Sequence, residues 1–314
     1  MQRRANVVGP AWLLLAAATL IWSGQPQAQA PPASAGSAPR PAAQAPPAPG
    51  QPAAPGTPSA RPPGPPPSTK KHILVIGQAL GFEHDSISIA LGTIWKMGRD
   101  SAAYEAEIKT DTSWVTKKPT RANSQNLDRF DAIVFVSSTG ELPLDDEQKK
   151  ALLAFVHDEG KGFVGVHAAL DSNYKWPEYG ELIGGWFEAH PFNTFDAPVI
   201  IEDPTFPAMR HFPARLTLRD EMYQAKAWSR DKVNVLMRMD ETKLDYTGKT
   251  NTRPDKDFAL AWSKTYGKGR VFYSTLGHTK ESWDDPQVQT MYLEAIKWVL
   301  GRTDGSTTPH AKQP

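Results

Sequence analysis

The sequence predicts an α/β protein built on a mostly parallel sheet flanked by helices, with additional strands in its C-terminal half. Three observations carry that reading. Short runs that are apolar at nearly every position, as strands covered on both faces must be, recur through the first half. Amphipathic helical periods separate them. From about residue 195 the pattern becomes strand-rich.

The elements follow in order. His72 to Gly77 is a buried strand ended by glycine, and a helix is expected from Ser86 to Gly98. Tyr104 to Lys109 alternates as a strand, and Ala132 to Val136 is a second buried run. Asp145 to Asp158 places Ala151, Leu152, Phe155 and Val156 on one helical face, with Asp145 as a cap ahead of Gln148, and Gly160 stops the helix. Gly162 to Val166 is the next buried strand. Strands are then expected at Val199–Ile201, Leu216–Tyr223 and Val233–Met239. Asp257–Lys264 and Arg270–Thr275 flank Gly267-Lys268-Gly269 as a hairpin, and Gln287–Leu300 closes the domain as an amphipathic helix. A parallel sheet of this kind binds ligands at the carboxyl ends of its strands, which directs the functional search there.

The ends of the chain read differently. Arg3 and Arg4, an apolar run of twelve residues from Ala11 to Trp22, and Ala28-Gln29-Ala30 have the form of an export signal cut after Ala30. The run is shorter than the roughly 20 residues a membrane span needs, which favours removal over a retained anchor. The expected location is therefore periplasmic or secreted. Of the 29 prolines, 15 lie between residues 31 and 69, where Pro, Ala, Gly, Gln and Ser predict an extended, disordered linker. The folded domain is expected to span residues 70–302, with a small, polar and frayed tail from Thr303 to Pro314.

Composition excludes several classes of function. Lys and Arg total 35 against 34 Asp and Glu, a net charge of +1 that gives no broad field for nucleic acid or an anionic membrane. The chain has no cysteine, so thiol nucleophiles, disulfides and thiolate metal sites are impossible. Neither G-x-G-x-x-G nor a P-loop is present.

Histidines supply the candidate chemistry. His84 follows the first strand, His167 ends the Gly162–Val166 strand, His190 follows Gly184-Gly185-Trp186-Phe187, and His278 follows the strand ending at Thr275. All four can meet at one sheet edge, with Asp85, Asp171, Glu221 and Asp284 as acidic partners. Asp255 and Asp257 are within reach from a charged loop. Imidazole and carboxylate bind zinc, nickel, manganese or iron(II), and they also move protons near neutral pH. A single histidine near a strand end is more often a hydrogen-bonded structural residue than a ligand, and no local H-x-x-x-H pair singles out a metal. His167 stands where a nucleophile elbow would lie, but without G-x-S-x-G around it. Asp171 can orient a histidine or simply cap a turn. Trp176, Tyr179, Trp186, Phe187, Tyr223 and Trp283 lie in or beside these loops as candidate sugar platforms, although most tryptophans belong to cores.

Several stretches together resemble the ThuA-like (trehalose-utilisation) family. They are Gly81-Phe82-Glu83-His84-Asp85-Ser86, the Val164–Ala169 run with Asp171-Ser172, Trp176 to Gly185 with His190-Pro191, Asp220-Glu221-Met222-Tyr223, and Gly267 to His278. The resemblance covers essentially all of residues 70–302. It implies a flavodoxin-like, class I glutamine amidotransferase-like three-layer fold and an association with disaccharide and keto-sugar metabolism. Glutaminase activity is not expected, because His167 stands where the amidotransferases carry cysteine. The expectation is an exported protein that acts on a sugar or keto-sugar by hydrolysis or isomerisation. His167, Glu221, Asp171 and His84 would be catalytic, Trp176, Tyr179, Tyr223 and Trp283 would hold the substrate, and His84, His167, His190 and His278 are the candidate ligands of one divalent metal. The alternatives are a non-catalytic carbohydrate-binding or scaffold module of the cell envelope, and a metal-dependent hydrolase with an unrelated substrate.

Overall fold

The computed structural model describes residues 70–119, 125–249 and 253–313; the expected signal and linker lie outside the described residues. Strands and helices run in the order β1 (His72–Ile76), α1 (Ile87–Ser101), β2 (Glu105–Lys109), β3 (Ala132–Val136), α2 (Asp146–His157), β4 (Gly162–Val166), α3 (Pro177–Ile183) and β5 (Trp186–Ala189). They continue with β6 (Thr194–Ile201), β7 (Arg215–Glu221), β8 (Gln224–Lys226), β9 (Asn234–Met239), β10 (Ala259–Tyr266), β11 (Gly269–Ser274), α4 (Lys280–Asp284) and α5 (Pro286–Val299).

Nine strands form one sheet in the order β2-β1-β3-β4-β11-β10-β9-β6-β7, and β5 pairs with β8 alone. Strands β2, β1, β3, β4 and β11 are mutually parallel, and the remaining four pair antiparallel. The change of direction occurs at the hairpin between β10 and β11, where Tyr266 pairs with Gly269 across two turn residues. Gly267 adopts φ +57°, and a Cβ there would come within 2.4 Å of the His157 carbonyl oxygen, so the turn requires glycine.

The period of two along each strand divides the core into two layers. Ile73 and Val75 of β1 with Val134 and Val136 of β3 face α1 and α5, while Leu74, Ile76, Ile133 and Phe135 face α2 and α3. Helices on both faces of the sheet, with its parallel strands in the order β2-β1-β3-β4-β11, make a three-layer flavodoxin-like α/β architecture. Asp145 caps α2 in a reciprocal box with Gln148, as its position predicts. Ser86 precedes α1 but makes no cap, because its hydroxyl is used elsewhere. The short α3, α4, β5 and β8 escape the sequence pattern, since none has enough residues to show a period.

The tail corrects the expectation of a frayed end. Residues 303–313 contain neither helix nor strand, yet they lie against the antiparallel half of the sheet. The Ser306 carbonyl accepts from Asn234 Nδ2 at 3.0 Å and Ser263 Oγ at 2.9 Å, and the Gln313 carbonyl accepts from Arg238 at 2.8 Å. His310 Nε2 donates to the Val235 carbonyl at 2.9 Å, and Lys312 pairs with Glu241 at 2.6 Å. Behind these contacts the fully buried Glu202 is held by Arg230 at 2.7 Å and Arg238 at 2.6 Å. Deleting residues 303–314 strips buried partners from Asn234, Ser263 and Arg238, and should cost at least about 2 kcal/mol in a urea unfolding experiment; an unchanged midpoint would show the tail to be dispensable.

Candidate metal and acid–base site

Four side chains reach one point from segments far apart in the chain. His84 lies in the loop between β1 and α1, His167 directly follows β4, Glu221 ends β7, and His278 lies in the loop after β11. One donor atom from each falls within 4.8 Å of all the others. His167 Nε2 is 3.1 Å from His278 Nδ1 and 3.7 Å from Glu221 Oε2, and His278 Nδ1 is 3.2 Å from the same carboxylate oxygen. The rings of His84 and His167 meet edge-to-face at 4.8 Å.

Local structure determines which nitrogen of His167 is free. The residue adopts φ +45°, a left-handed conformation that is costly for a side chain other than glycine, and this turns the imidazole inward at the strand end. Tyr273 Oη donates to the His167 carbonyl at 2.9 Å and holds the bend. Nδ1 lies 2.6 Å from the Thr275 carbonyl, which can only accept, so Nδ1 carries the proton and Nε2 presents a lone pair to the cluster. Tyr223 covers the same ring at 4.4 Å.

The surroundings keep the imidazoles neutral. Burial lowers the His167 pKa well below its ordinary value, with the neighbouring His84 and His278 adding to the effect. Burial and then His278 bring His84 down to about 4, and burial followed by His190 lowers His278. Burial pushes the Glu221 carboxyl up, against the pull of His190. His84 Nδ1 is buried and has no hydrogen-bond partner. Convergent lone pairs, one carboxylate and an orphaned buried nitrogen fit a divalent cation of the zinc, manganese, nickel or iron(II) type. The Thr275 carbonyl behind His167 supplies the outer hydrogen bond that orients an imidazole ligand.

A second buried carboxylate assembles the loops. Asp220 Oδ2 accepts from the Gly277 amide at 2.7 Å and from Ser282 Oγ at 2.6 Å, and Oδ1 accepts from the Glu221 amide at 2.9 Å. Burial still raises its pKa to about 6 against these hydrogen bonds. Gly277, at φ +112°, offers its carbonyl to Ser86 Oγ at 2.8 Å and to Trp283 Nε1 at 3.2 Å. One glycine thus ties together the loops carrying His84 and His278, and Asp220 joins both to Glu221.

The other expected site residues are distributed unevenly. His190 stands outside the four-donor group with Nδ1 3.3 Å from Glu221 Oε1, and 41% of its side chain is exposed. Asp171 is half-buried beside this flank, accepts from Tyr174 Oη at 2.6 Å and has its pKa raised chiefly by burial, but it is not among the convergent donors. Of the four expected substrate residues, Tyr223 alone touches the cluster. Trp176 and Tyr179 pack in the core around α3, Tyr179 Oη donating to the Ala169 carbonyl at 2.7 Å, and Trp283 stacks on Tyr292 at 5.0 Å. No face of these three rings is open to a ligand. Asp257 pairs with Arg230, Asp255 with Arg253, Asp85 with Lys280, and Asp284 is exposed, so none of these acids joins the donors. Thr275, Gly277, Asp220, Tyr273 and Ser86 were not expected as site residues, although all five lie in the stretches that carry the family resemblance and Asp220 adjoins Glu221.

Histidines carried just beyond the ends of parallel strands, at one edge of a three-layer α/β fold, define a class of protein with a histidine–carboxylate site and no cysteine nucleophile. Within that class, the chain belongs to the family described as ThuA, trehalose utilisation, whose model matches residues 72–299. Its structure is similar to a ThuA-like protein from Bacteroides uniformis ATCC 8492, with a TM-score of 0.62 at 20% identity over 79% of this chain and 98% of that one. It is also similar to a ThuA-like protein from Parabacteroides merdae ATCC 43184, with a TM-score of 0.58 at 16% identity over 76% of this chain and 93% of that one. At these identities the likeness shows the fold. No curated protein matches the sequence.

Asp220→Asn removes one charged acceptor while leaving three donors to satisfy. Unfolding stability should fall by about 1–3 kcal/mol, and the ring resonances of His278 should move in a histidine NMR spectrum. Wild-type stability with unmoved resonances would show that Asp220 does not hold the loop.

Proposed function

We propose that this protein binds one divalent cation through His84, His167, His278 and Glu221 and acts on a sugar or keto-sugar by hydrolysis or isomerisation. The observation that carries the reading is the convergence of one donor atom from each of the four residues within 4.8 Å of one another, with burial lowering the pKa of all three imidazoles. The family's trehalose-utilisation description supports the substrate class.

A cation bound there would polarise a carbonyl or hydroxyl oxygen of the substrate. The acid–base group is then His190, which lies outside the donor set, reaches solvent and touches Glu221. A C–H bond next to a keto group is acidic. His190 takes that proton, the C–H electrons form the carbon–carbon double bond of an enediolate, and the negative charge rests on the former carbonyl oxygen. Transfer of the hydroxyl proton on the deprotonated carbon to that oxygen, and return of the first proton from His190 to the former carbonyl carbon, leave the carbonyl on the neighbouring carbon and give the isomer. Loss of the glycosidic alkoxide from the β-carbon, its protonation, and addition of water across the resulting double bond give hydrolysis. Asp171 lies on the same flank, near enough for its carboxylate to interact with the His190 ring.

Elemental analysis of the full purified chain tests the metal. About one equivalent in the wild type, lost in a His167→Ala, His278→Ala double variant, is expected from three-imidazole ligation; no metal in either protein would sink this part of the reading. His190→Ala should keep the metal and slow turnover of a keto-disaccharide by at least about a hundredfold. Saturable binding of the sugar with no turnover by the wild type would replace the enzyme by a carbohydrate-binding module.

Export is proposed from the N-terminal pattern, with the Pro-rich stretch tethering the domain. Mass analysis of protein recovered from the cell envelope should give a chain beginning at Pro31, whereas an intact Met1 end would mean that the segment is retained.

A further inference from the structure

We propose that the cleft beside His84 is a subsite for one pyranose ring, with Phe82 as the surface on which that ring stacks. The proposal rests on the sugar reading above and adds where the substrate lies. The cleft encloses about 410 Å³ and is lined by Phe82, Glu83, His84, Asp85, His278 and Lys280, among others. That volume falls in the range of small-molecule sites. Two of its lining residues are donors of the four-residue cluster, so a ring held in it places one edge at the cation.

An isolated exposed apolar side chain is ordinary on a protein surface and signifies nothing by itself. Phe82 differs in how it is held. It is 65% exposed although its loop is pinned at both ends. The Gly81 amide donates to Thr139 Oγ1 at 3.1 Å, Thr139 Oγ1 donates to the Phe82 carbonyl at 2.9 Å, and Ser86 Oγ donates to the Gly277 carbonyl at 2.8 Å. The ring is therefore held outward by the fold. Inward it meets His84 edge-to-face at 4.8 Å, which fixes its orientation relative to the donors.

The polar groups around the ring suit the same ligand. The faces of a pyranose carry C–H bonds that pack on the electron-rich face of an aromatic ring, and its rim carries hydroxyls. The Glu83 and Asp85 carboxylates accept from hydroxyls, and Lys280, 3.6 Å from Asp85, donates to them. Phe82 thus occupies the role that the sequence assigns to Trp176, Tyr179 and Trp283, whose rings the core consumes.

Calorimetric titration of the full chain with methyl α-D-glucopyranoside and with trehalose tests the proposal, with the acyclic polyol sorbitol as a control that has hydroxyls but no ring face. The pyranosides should bind and sorbitol should not. Phe82→Ala should weaken binding by about tenfold or more, and Phe82→Trp should restore it. Metal content should be the same in all three proteins, because residue 82 is not a donor. Saturation-transfer NMR should mark the ring C–H protons of the sugar in the wild type and lose that signal in Phe82→Ala. Undiminished pyranoside binding by Phe82→Ala would overturn the subsite while leaving the sugar reading intact. A wild type that holds metal but binds neither pyranoside would overturn the sugar reading and the subsite with it.

Discussion

The carboxylate of Asp220 is the junction on which the rest of the site depends. It takes three hydrogen bonds from the Glu221 amide, the Gly277 amide and the Ser282 hydroxyl, groups that belong to the end of β7, the loop after β11 and α4. In the sheet, β7 is the outermost strand of the antiparallel half, four positions away from β11. Glu221 nevertheless reaches histidines carried by the parallel half, because Asp220 and the bond from the Tyr223 amide to Thr275 Oγ1 draw the strand end across. A buried carboxylate is expensive to desolvate, and full hydrogen-bonding is the condition on which a fold retains one.

The same economy explains the conformations at the site. Ser86 forgoes the capping of α1 and bonds to Gly277, and His167 accepts a left-handed backbone held by Tyr273. Local stability is given up at both positions, and the return is geometric. The donor atoms are aimed at one another before any ligand arrives. Burial first, and then the repulsion between rings if more than one were protonated, keep these imidazoles neutral, and neutral imidazole is the form that ligates a metal.

The two halves of the sheet divide the work. The parallel strands end in loops at one edge and deliver His84, His167 and His278, as open parallel sheets deliver ligand-binding groups in general. The antiparallel half contributes a carboxylate and a frame, which the buried Arg230–Glu202–Arg238 group and the C-terminal residues brace from behind. The convergent donors therefore come from both halves, and the family match, residues 72–299, spans both.

The sequence by itself determined the elements and the inventory of chemistry. Apolar runs such as Ala132–Val136 and Gly162–Val166 are strands to the residue, and the Asp145–Gln148 cap stands where it was expected, because periodicity and capping depend on neighbours a few positions away. The absence of cysteine and the positions of the histidines were equally legible. The tertiary structure alone decided which groups meet and which rings remain open. Trp176, Tyr179 and Trp283 resemble Phe82 in composition and setting along the chain, but burial depends on what the whole fold stacks over a side chain, and three were covered while Phe82 was left in the cleft. His190 and Asp171 were likewise separated from the donors, and Thr303–Gln313 was bound to β9, by contacts between residues up to 75 positions apart that no local pattern encodes.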